Sequence, residues 1–191
     1  MANTQPYEIV AGPCDVYFAP TGTPFPAVGT PGTNVPSWTR IGYTEGGVKV
    51  ASPQTVVELR ADQVTGPIKA VRSEESLEIT FDIASLTLEN YAMALNRAIA
   101  GPTGGAGDKS VPLYRGGFQV ETFAFFAKND HLSPYGDKVL QFEVPVCFQA
   151  DNPEATFTKD NKAVLAVSLH ALVDPNRSTD DESFGRVRAA T

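Results

Sequence analysis

The sequence contains few residues of the kinds that usually carry chemistry, with two cysteines and two histidines among 191 residues. Cys14 and Cys147 each lie in a strand-like segment, outside any CxxC or Cys/His cluster that could bind zinc. We interpret them as buried free thiols that behave as small apolar residues, with one disulfide as the alternative. His131 and His170 lack a second ligand at i+3 or i+4 on a helix, so no metal site is predicted.

Long apolar runs are absent from the sequence as well. No segment approaches the ~18 apolar residues of a membrane span, so no membrane anchoring is predicted. The first residues, MANTQPYEIVAG, have neither a cationic start nor the apolar stretch of roughly 7 to 15 residues that a signal peptide requires. We therefore expect the protein to be made in a cytoplasm.

Positive charge is scarce, because 15 Lys and Arg residues stand against 22 Asp and Glu residues, for a net charge of -7. The summed field of such a chain repels nucleic acid and anionic membranes, which disfavours stable DNA binding. With 42% hydrophobic and 19% charged residues, the composition excludes a disordered chain. The length fits one domain with an N-terminal arm, which we place at residues 1–173, with residues 174–191 as a C-terminal arm or disordered tail.

Recognisable catalytic signatures are also missing. The segment GPTGGAGDKS at residues 101–110 resembles a phosphate loop, but Asp108 separates glycine from lysine, and residues 111–112 are Val-Pro instead of a helix start. The adjacent acids at residues 74–75 and 180–182 are more typical of solvated charge than of carboxylates held in contrasting environments. We predict no enzyme activity and no cofactor.

Short apolar runs separated by glycine and proline predict a mainly β fold. Residues 14–19 form the first predicted strand, and a long surface loop follows at residues 20–37. Residues 38–44 and 48–52 predict a hairpin that bends at the intervening glycine pair. Trp38 is interpreted as a core or interface anchor.

A long hairpin is predicted over residues 55–83, with a protruding loop at residues 53–72 and a break at residues 62–67. Side chains alternate between two faces along its returning arm. One face carries Leu77, Ile79, Phe81 and Ile83. The other face carries Glu74, Ser76, Glu78, Thr80 and Asp82. The first face would build a core, and the second would be acidic.

The period then changes from two to nearly four, which predicts one helix starting after the N-cap residue Thr87. Its apolar positions are Leu88, Tyr91, Ala92 and Leu95, and the flexible stretch at residues 101–117 follows. Three further strands are predicted at residues 118–127, 139–148 and 163–171.

The strand at residues 139–148 predicts one apolar face and one mixed face. The apolar face would carry Leu140, Phe142, Val144, Val146 and Phe148. The opposite face would carry Gln141, Glu143 and Cys147. Pro145 cannot donate to a strand ladder, so it suits an edge or a bulge.

Four segments carry motifs whose order matters as much as their content. They are GPCDVYFAPTGTPFPAVG (residues 12–29), WTRIGYTEGGVKVASP (38–53), VELRADQVTGPI (57–68) and SLEITFDIASLTLENYAMAL (76–95). Together they resemble the tail tube proteins of long-tailed bacteriophages. That family has a strand like Y-x-A-P-x-G-T, then W-x-x-I/L-G-x-x-x-x-G-V, a hairpin with Asp-Gln near its tip, and T-L-E-N opening a helix. The resemblance covers roughly residues 10–100.

The resemblance implies a sandwich of two packed antiparallel sheets with one flanking helix and a long protruding hairpin. Six copies would form a ring whose inner strands join into a continuous β-barrel, and rings would stack into the tube of a virion tail. The subunit would be synthesised in the host bacterial cytoplasm. Its partners would be other copies and the terminator, tape measure and distal tail proteins, while DNA passes through the lumen without specific binding.

In that setting an acidic lumen would repel DNA phosphates. The lumen candidates are Glu74, Glu78, Asp82, Glu58 and Asp62, although each could equally belong to an ordinary solvated sheet face. The exposed edges of a long hairpin invite pairing with a neighbour. The inter-subunit candidates are Val57, Leu59, Asp62, Gln63 and Ile68. The loops at residues 20–37 and 101–117, together with both terminal arms, are candidates for contacts between rings.

Two alternative functions remain open at this point. A tube subunit of a related injection or gene-transfer particle would share the fold and the surface chemistry. A carbohydrate-binding β-sandwich module would need exposed aromatic rings to stack on sugars, and Tyr114 and Tyr135 are the most obvious ones. A hydrolase on a β scaffold is disfavoured, since no convergent polar cluster is evident.

Overall fold

A computed structural model of the chain describes residues 12–29, 35–98, 100–105, 107–115, 117–129, 133–136, 138–155, 157, 159, 162–177 and 182–190. In this part of the chain the fold is mainly β, with antiparallel sheets and one α-helix, as predicted. The strands are β1 (Asp15–Pro20), β2 (Thr39–Arg40), β3 (Thr44–Ala51), β4 (Gln54–Leu59), β5 (Lys69–Glu75), β6 (Glu78–Ile83), β7 (Thr103–Gly105), β8 (Asp108–Ser110), β9 (Phe123–Asn129), β10 (Leu140–Gln149), β11 (Leu165–Ala171) and β12 (Arg186–Ala189). The helix α1 is Leu88–Ala94.

The largest sheet runs in the order β2-β1-β9-β10-β11-β6-β3, with β12 also paired to β10. Phe81 on β6 and Phe125 on β9 have ring centroids 5.8 Å apart, although β10 and β11 lie between their strands. Three strand spacings of ~4.8 Å would separate them by about 14 Å in a flat sheet. The sheet therefore folds over itself into two packed layers, which is consistent with a β-sandwich.

The strands β1 and β9 are buried on both faces. Val16 and Phe18 of β1 join Phe123 and Phe125 of β9 in the main core between the layers. The alternate residues form a second cluster on the other side, where Tyr17, Ala19, Ala124 and Phe126 meet Val35 and Trp38. Through this second cluster, the described parts of the predicted 20–37 loop pack against the sheet. Trp38 is therefore a core residue.

The helix α1 begins as predicted, with the Thr87 hydroxyl accepting a hydrogen bond from the Asn90 amide at 3.2 Å. Glu89 lies in the first turn, where an acidic side chain favours the positive helix end. Met93 and Ala94 pack into the main core. The seven-residue helix thus packs against the main core through one face.

The end of the helix is joined to β10 by the Asn96 side chain, which forms the two hydrogen bonds that a neighbouring strand would form. Asn96, at φ 56°, donates to the Gln149 carbonyl at 2.8 Å and accepts from the Gln149 amide at 2.7 Å. Both residues are buried. Asparagine suits this site because it tolerates a left-handed backbone and offers one donor and one acceptor.

We expect Asn96→Ala to lower the free energy of unfolding by about 3 kcal/mol, since it leaves two buried backbone groups unpaired. Urea denaturation measures the loss. Asn96→Gly keeps the backbone preference and removes the same hydrogen bonds, so its loss isolates them. A loss below about 1 kcal/mol in both variants would contradict this role for Asn96.

The predicted long hairpin is divided in the structure. β4 pairs with β5 in a separate two-stranded sheet, whereas β6 pairs with β11 and β3 in the main sheet. The returning arm therefore breaks at residues 76–77, and residues 74–83 do not form one continuous face. Within β6 the predicted alternation is confirmed, because Ile79, Phe81 and Ile83 are buried.

The hairpin predicted at residues 38–52 is wrong. Residues 44–51 form the single strand β3, which pairs with β6 on both sides of an irregularity between Glu45 and Lys49. Gly46 and Gly47 lie there with φ of 72° and 84°. In this sequence the glycine pair makes a β-bulge instead of a turn.

The faces predicted for β10 are confirmed up to Val144 and exchanged after it, because the register shifts between Val144 and Cys147. Pro145 lies at this shift, where its missing N–H costs no ladder hydrogen bond. The bulge places Cys147 in the same core as Phe142 and Val144, whereas Gln141 and Glu143, which precede it, are buried on the opposite face. Periodicity could not predict the position of Cys147, because one extra residue exchanges the two faces of a strand.

Three segments differ from their predicted form. The strand predicted from residue 118 begins at Phe123, and Phe118 is fully exposed. The stretch at residues 101–117 contains the small β7–β8 hairpin. Residues 186–189, predicted as part of an arm or disordered tail at 174–191, form β12 and pair with β10.

Both cysteines are free thiols, as predicted. Cys147 is buried, and Cys14 is half-buried. Burial raises the pKa of both thiols above the ordinary value, and the neighbouring Asp15 carboxylate adds to the effect at Cys14. Thiols in this state behave as small apolar residues.

Candidate assembly surface

The β4–β5 hairpin is exposed along its whole length. Its register pairs Gln54 with Glu75 at the base and Leu59 with Lys69 at the far end. The Ile68 amide donates to the Leu59 carbonyl at 2.8 Å and closes the ladder. Every residue of both strands is exposed to solvent. A two-stranded hairpin without a covering layer is marginally stable by itself.

One face of this hairpin is mostly apolar, although Lys69 lies opposite Leu59 on it. Val57 lies directly opposite Val71, and Leu59 follows two positions along, so the three side chains share a face. They are 46%, 41% and 49% exposed, respectively. Ile68 near the tip is exposed as well. We call Val57, Leu59 and Val71 the apolar hairpin face.

The charges of the hairpin nearly cancel. Four carboxylates and three cations lie between residues 54 and 75. Arg60 pairs with Glu58 at 3.0 Å, and Arg72 pairs with Glu75 at 2.8 Å. Such exposed pairs contribute about 0–1 kcal/mol each. The hairpin is therefore close to neutral, and it does not present the acidic face that alternation alone predicted.

The five lumen candidates fall on two different surfaces. Glu58, Asp62 and Glu74 lie on the exposed hairpin and its tip, as do the inter-subunit candidates Val57, Leu59, Gln63 and Ile68. Glu78 and Asp82 lie on β6 in the main sheet and are half-buried. The structure thus brings Glu78 and Asp82 together and leaves the other three acids elsewhere.

The outer face of β6 forms a shallow groove of about 380 Å³ with β3 and β11. Asp82 lies opposite Glu45 across the strand pair, and Glu78 lies opposite His170, with 3.8 Å between the His170 Nε2 and Glu78 Oε1 atoms. Lys49 lies opposite Thr80 on the same face. We call Glu45, Glu78 and Asp82 the β6 acidic face.

Sequence reasoning missed Glu45, because it assigned the glycine pair beside it to a turn. In the structure, the bulge keeps Glu45 in register with Asp82. The Lys162 ammonium lies 3.0 Å from the Glu45 carboxylate. The groove therefore carries cations as well as acids, and its potential depends on the balance between them.

A buried ion cluster at the C-terminus was missed as well. The Glu143 side chain is fully buried and accepts hydrogen bonds from Arg186 Nε at 2.7 Å and Arg188 Nη1 at 3.0 Å. Gln141 donates to the same carboxylate at 2.7 Å. The hydrogen bond to Glu143 is the main cause that raises the pKa of Arg186. The alternating pair in Arg-Val-Arg at residues 186–188 was the one sequence signal for it.

The other sequence candidates form no site in the described residues. His131, Asp180, Asp181 and part of the 20–37 loop lie outside those residues. No group of three potential metal ligands occurs in the described chain. Tyr114 and Tyr135 are exposed, on separate segments. No helix in the described residues is long and apolar enough to cross a membrane.

Comparison with known proteins adds no relative. No protein-family model matches the chain, and no curated protein matches its sequence. The resemblance to tail tube proteins therefore depends on the motifs within residues 10–100 and on their order.

Proposed function

We propose that this protein is a structural subunit that assembles with copies of itself into a tube of the phage-tail type. In this proposal six copies form a ring, and the rings stack. The exposed β4–β5 hairpin carries the proposal, because it presents the apolar hairpin face on a thin protrusion. The motifs at residues 12–95 and their order support the same function.

The physical argument is the gain from covering this hairpin. Burying the exposed half of a valine or leucine side chain contributes roughly 1 kcal/mol. Each hairpin strand also has one edge whose backbone groups can pair with a neighbouring strand. In a closed ring, every subunit makes the same contact with its neighbour, so each hairpin gains this stabilisation and no interface is left exposed. Catalysis and cofactors have no part in this function.

In the proposed tube, the β6 acidic face would line the lumen. Glu45 and Asp82 line the groove, and Glu78 lies further along the same face of β6, in a chain whose net charge is -7. Carboxylates in that position would repel DNA phosphates, so that DNA passes without specific binding. Glu58, Asp62 and Glu74 belong to the hairpin and would lie at contacts between subunits.

The proposed setting is a virion tail, with the terminator, tape measure and distal tail proteins as further partners. The same surfaces would serve the tube of a related injection or gene-transfer particle. Both alternatives require the same self-association, so one experiment tests their common basis.

Negative-stain electron microscopy of the purified protein, at rising concentration and with a crowding agent, tests the proposal. We expect rings or hollow tubes with sixfold end views, and light scattering that rises with them. A protein that stays monomeric at the highest concentration would overturn the proposal. A small closed dimer would favour the binding-module alternative.

Two hairpin variants locate the contact. We expect the double variant Val57→Lys and Val71→Lys to prevent ring and tube formation, because it places two cations on the apolar hairpin face. Both side chains are already exposed, so the free energy of unfolding should change by less than about 1 kcal/mol. Val56→Lys is the matched control, since Val56 is 47% exposed on the opposite face beside Arg72. Normal tubes from the double variant would exclude this face as the contact.

A further inference from the structure

One edge of β10 is shared between two strands. Cys147–Gln149 pair with β11, whereas Leu140–Glu143 pair with β12. β11 continues beside β6 and does not reach the first half of β10. The segment Leu140–Glu143 therefore has a strand edge that β11 leaves free, and β12 pairs with it. We call this segment the acceptor edge.

The chemistry of this edge selects its occupant. Glu143 is fully buried, and its two carboxylate oxygens accept from Arg186 and Arg188. A buried carboxylate without such partners is strongly unfavourable. The acceptor edge therefore requires a strand with arginine at alternate positions, and β12 has this pattern.

Packing holds β12 weakly. None of its four residues is fully buried, and Val187 is 57% exposed. A groove of about 410 Å³ separates β12 from the segment that joins β5 to β6. Phe142, Val144 and Phe184 line this groove. β12 is therefore held by its ion pairs with Glu143 and by backbone pairing with β10, and little by apolar packing.

The connection to β12 is long enough to reach a second copy. Residues 172–185 join β11 to β12, and such a segment spans up to roughly 50 Å when extended. A compact chain of this length has a radius of gyration of about 16 Å. The ion pairs along the connection are partly exposed, with Arg177 and Glu182 at 3.6 Å and Glu182 and Arg186 at 3.1 Å.

Gly185 marks the point where the chain enters the acceptor edge. Its φ is 135°, and a Cβ atom there would overlap the Glu143 carbonyl. Glycine thus permits the close approach of β12 to β10. The same approach is available to a β12 that arrives from another molecule.

We propose that the acceptor edge of β10 binds β12 of a second copy, so that subunits exchange their C-terminal strands. The exchanged strand makes the same contacts with Glu143 as the strand of the same chain. The equilibrium between exchanged and closed forms therefore depends on protein concentration. In the closed form, the connection at residues 172–185 holds β12 near its own acceptor edge at an effective concentration of ~1 mM. The proposal rests on the proposed function in one respect, because an assembled tube supplies the high local concentration.

Disulfide trapping between two single-cysteine variants tests the exchange. Leu140 and Ala189 are directly paired in the strand register, and the Cα separation of such pairs, ~4.5–5.5 Å, permits a disulfide. Leu140→Cys and Ala189→Cys are made separately in a Cys14→Ser background, mixed in equal amounts and oxidised. Non-reducing electrophoresis and mass spectrometry then identify the 140–189 heterodimer.

At a protein concentration of ~1 mM, we expect pairing between two chains to equal pairing within one chain. The fraction of heterodimer should then fall about tenfold with each tenfold dilution. Each variant oxidised alone gives the background. The double variant, which should close within one chain when dilute, shows that the geometry permits the bond. Phe142 and Val187 provide an independent second pair.

Two outcomes separate this proposal from the proposed function. Closure within one chain, together with mixtures that never exceed background, would overturn strand exchange even if tubes form. Heterodimers from a protein that forms no tubes would support strand exchange and contradict the proposed tube function.

Discussion

We expect replacement of both Arg186 and Arg188 by alanine to lower the free energy of unfolding by about 3–5 kcal/mol. The two guanidinium groups lie 2.7 and 3.0 Å from the carboxylate of Glu143, whose side chain is fully buried. Removing one side of a buried pair leaves an uncompensated charge, and that charge carries most of the loss. For a chain of this size the midpoint of thermal unfolding should fall by roughly 10 °C.

A second substitution separates charge from packing. Glu143→Gln in the double-alanine background removes the buried charge and keeps the size of the side chain. We expect it to recover more than half of the lost stability, as measured by urea denaturation of the dilute protein. Arg60→Ala is the matched control, because Arg60 pairs with Glu58 at 3.0 Å on the exposed hairpin. Its loss should stay below about 1 kcal/mol. A double-alanine variant as stable as the control would show that Glu143 does not depend on β12.

The second large effect concerns adjacent phenylalanines on opposite faces of β9. Phe126 stacks on Tyr17 with ring centroids 4.5 Å apart and meets Trp38 edge-on at 4.6 Å. We expect Phe126→Ala to lower the free energy of unfolding by about 3–5 kcal/mol, since it opens a cavity among buried rings. It should also shift the fluorescence of Trp38, the one tryptophan in the sequence.

Phe125→Ala is the control for this effect. Phe125 is equally buried, but it packs in the main core against Phe81. Its replacement should cost a similar free energy and leave the native fluorescence of Trp38 unchanged. Equal fluorescence changes in the two variants would contradict the separation of the cores by the β1–β9 layer.

The elements that the sequence predicted well are those with a local physical cause. The helix follows from the Thr87 cap and the four-residue apolar spacing, and its first turn forms as predicted. β6 follows from strict alternation, because its inward positions are all large and apolar. The protruding hairpin follows from a break between two strand-like segments, and the β4–β5 ladder lies within the predicted region.

The failures occur where extra residues in one strand change the register, two in β3 between Glu45 and Lys49 and one in β10 between Val144 and Cys147. Gly46 and Gly47 are as suitable for a turn as for a bulge, and pairing of β3 with β6 along both halves selects the bulge. Pro145 suits a bulge, but simple alternation predicts the faces of β10 as if the strand were regular. The shift exchanges the faces only after Val144 and places Cys147 in the main core. Glu143 lies before the shift on its predicted face, and alternation could not show that this face is buried and pairs with Arg186 and Arg188.

By itself, the sequence determined the mainly β class, the position of the helix and hairpin, and the acidic charge, because these depend on composition and on near neighbours along the chain. The tertiary structure alone decided which acids share a surface, and that β12 completes the edge of β10 through Glu143. Those outcomes join residues more than forty positions apart. Their energies arise from burial and from strand pairing, and neither exists before the chain folds.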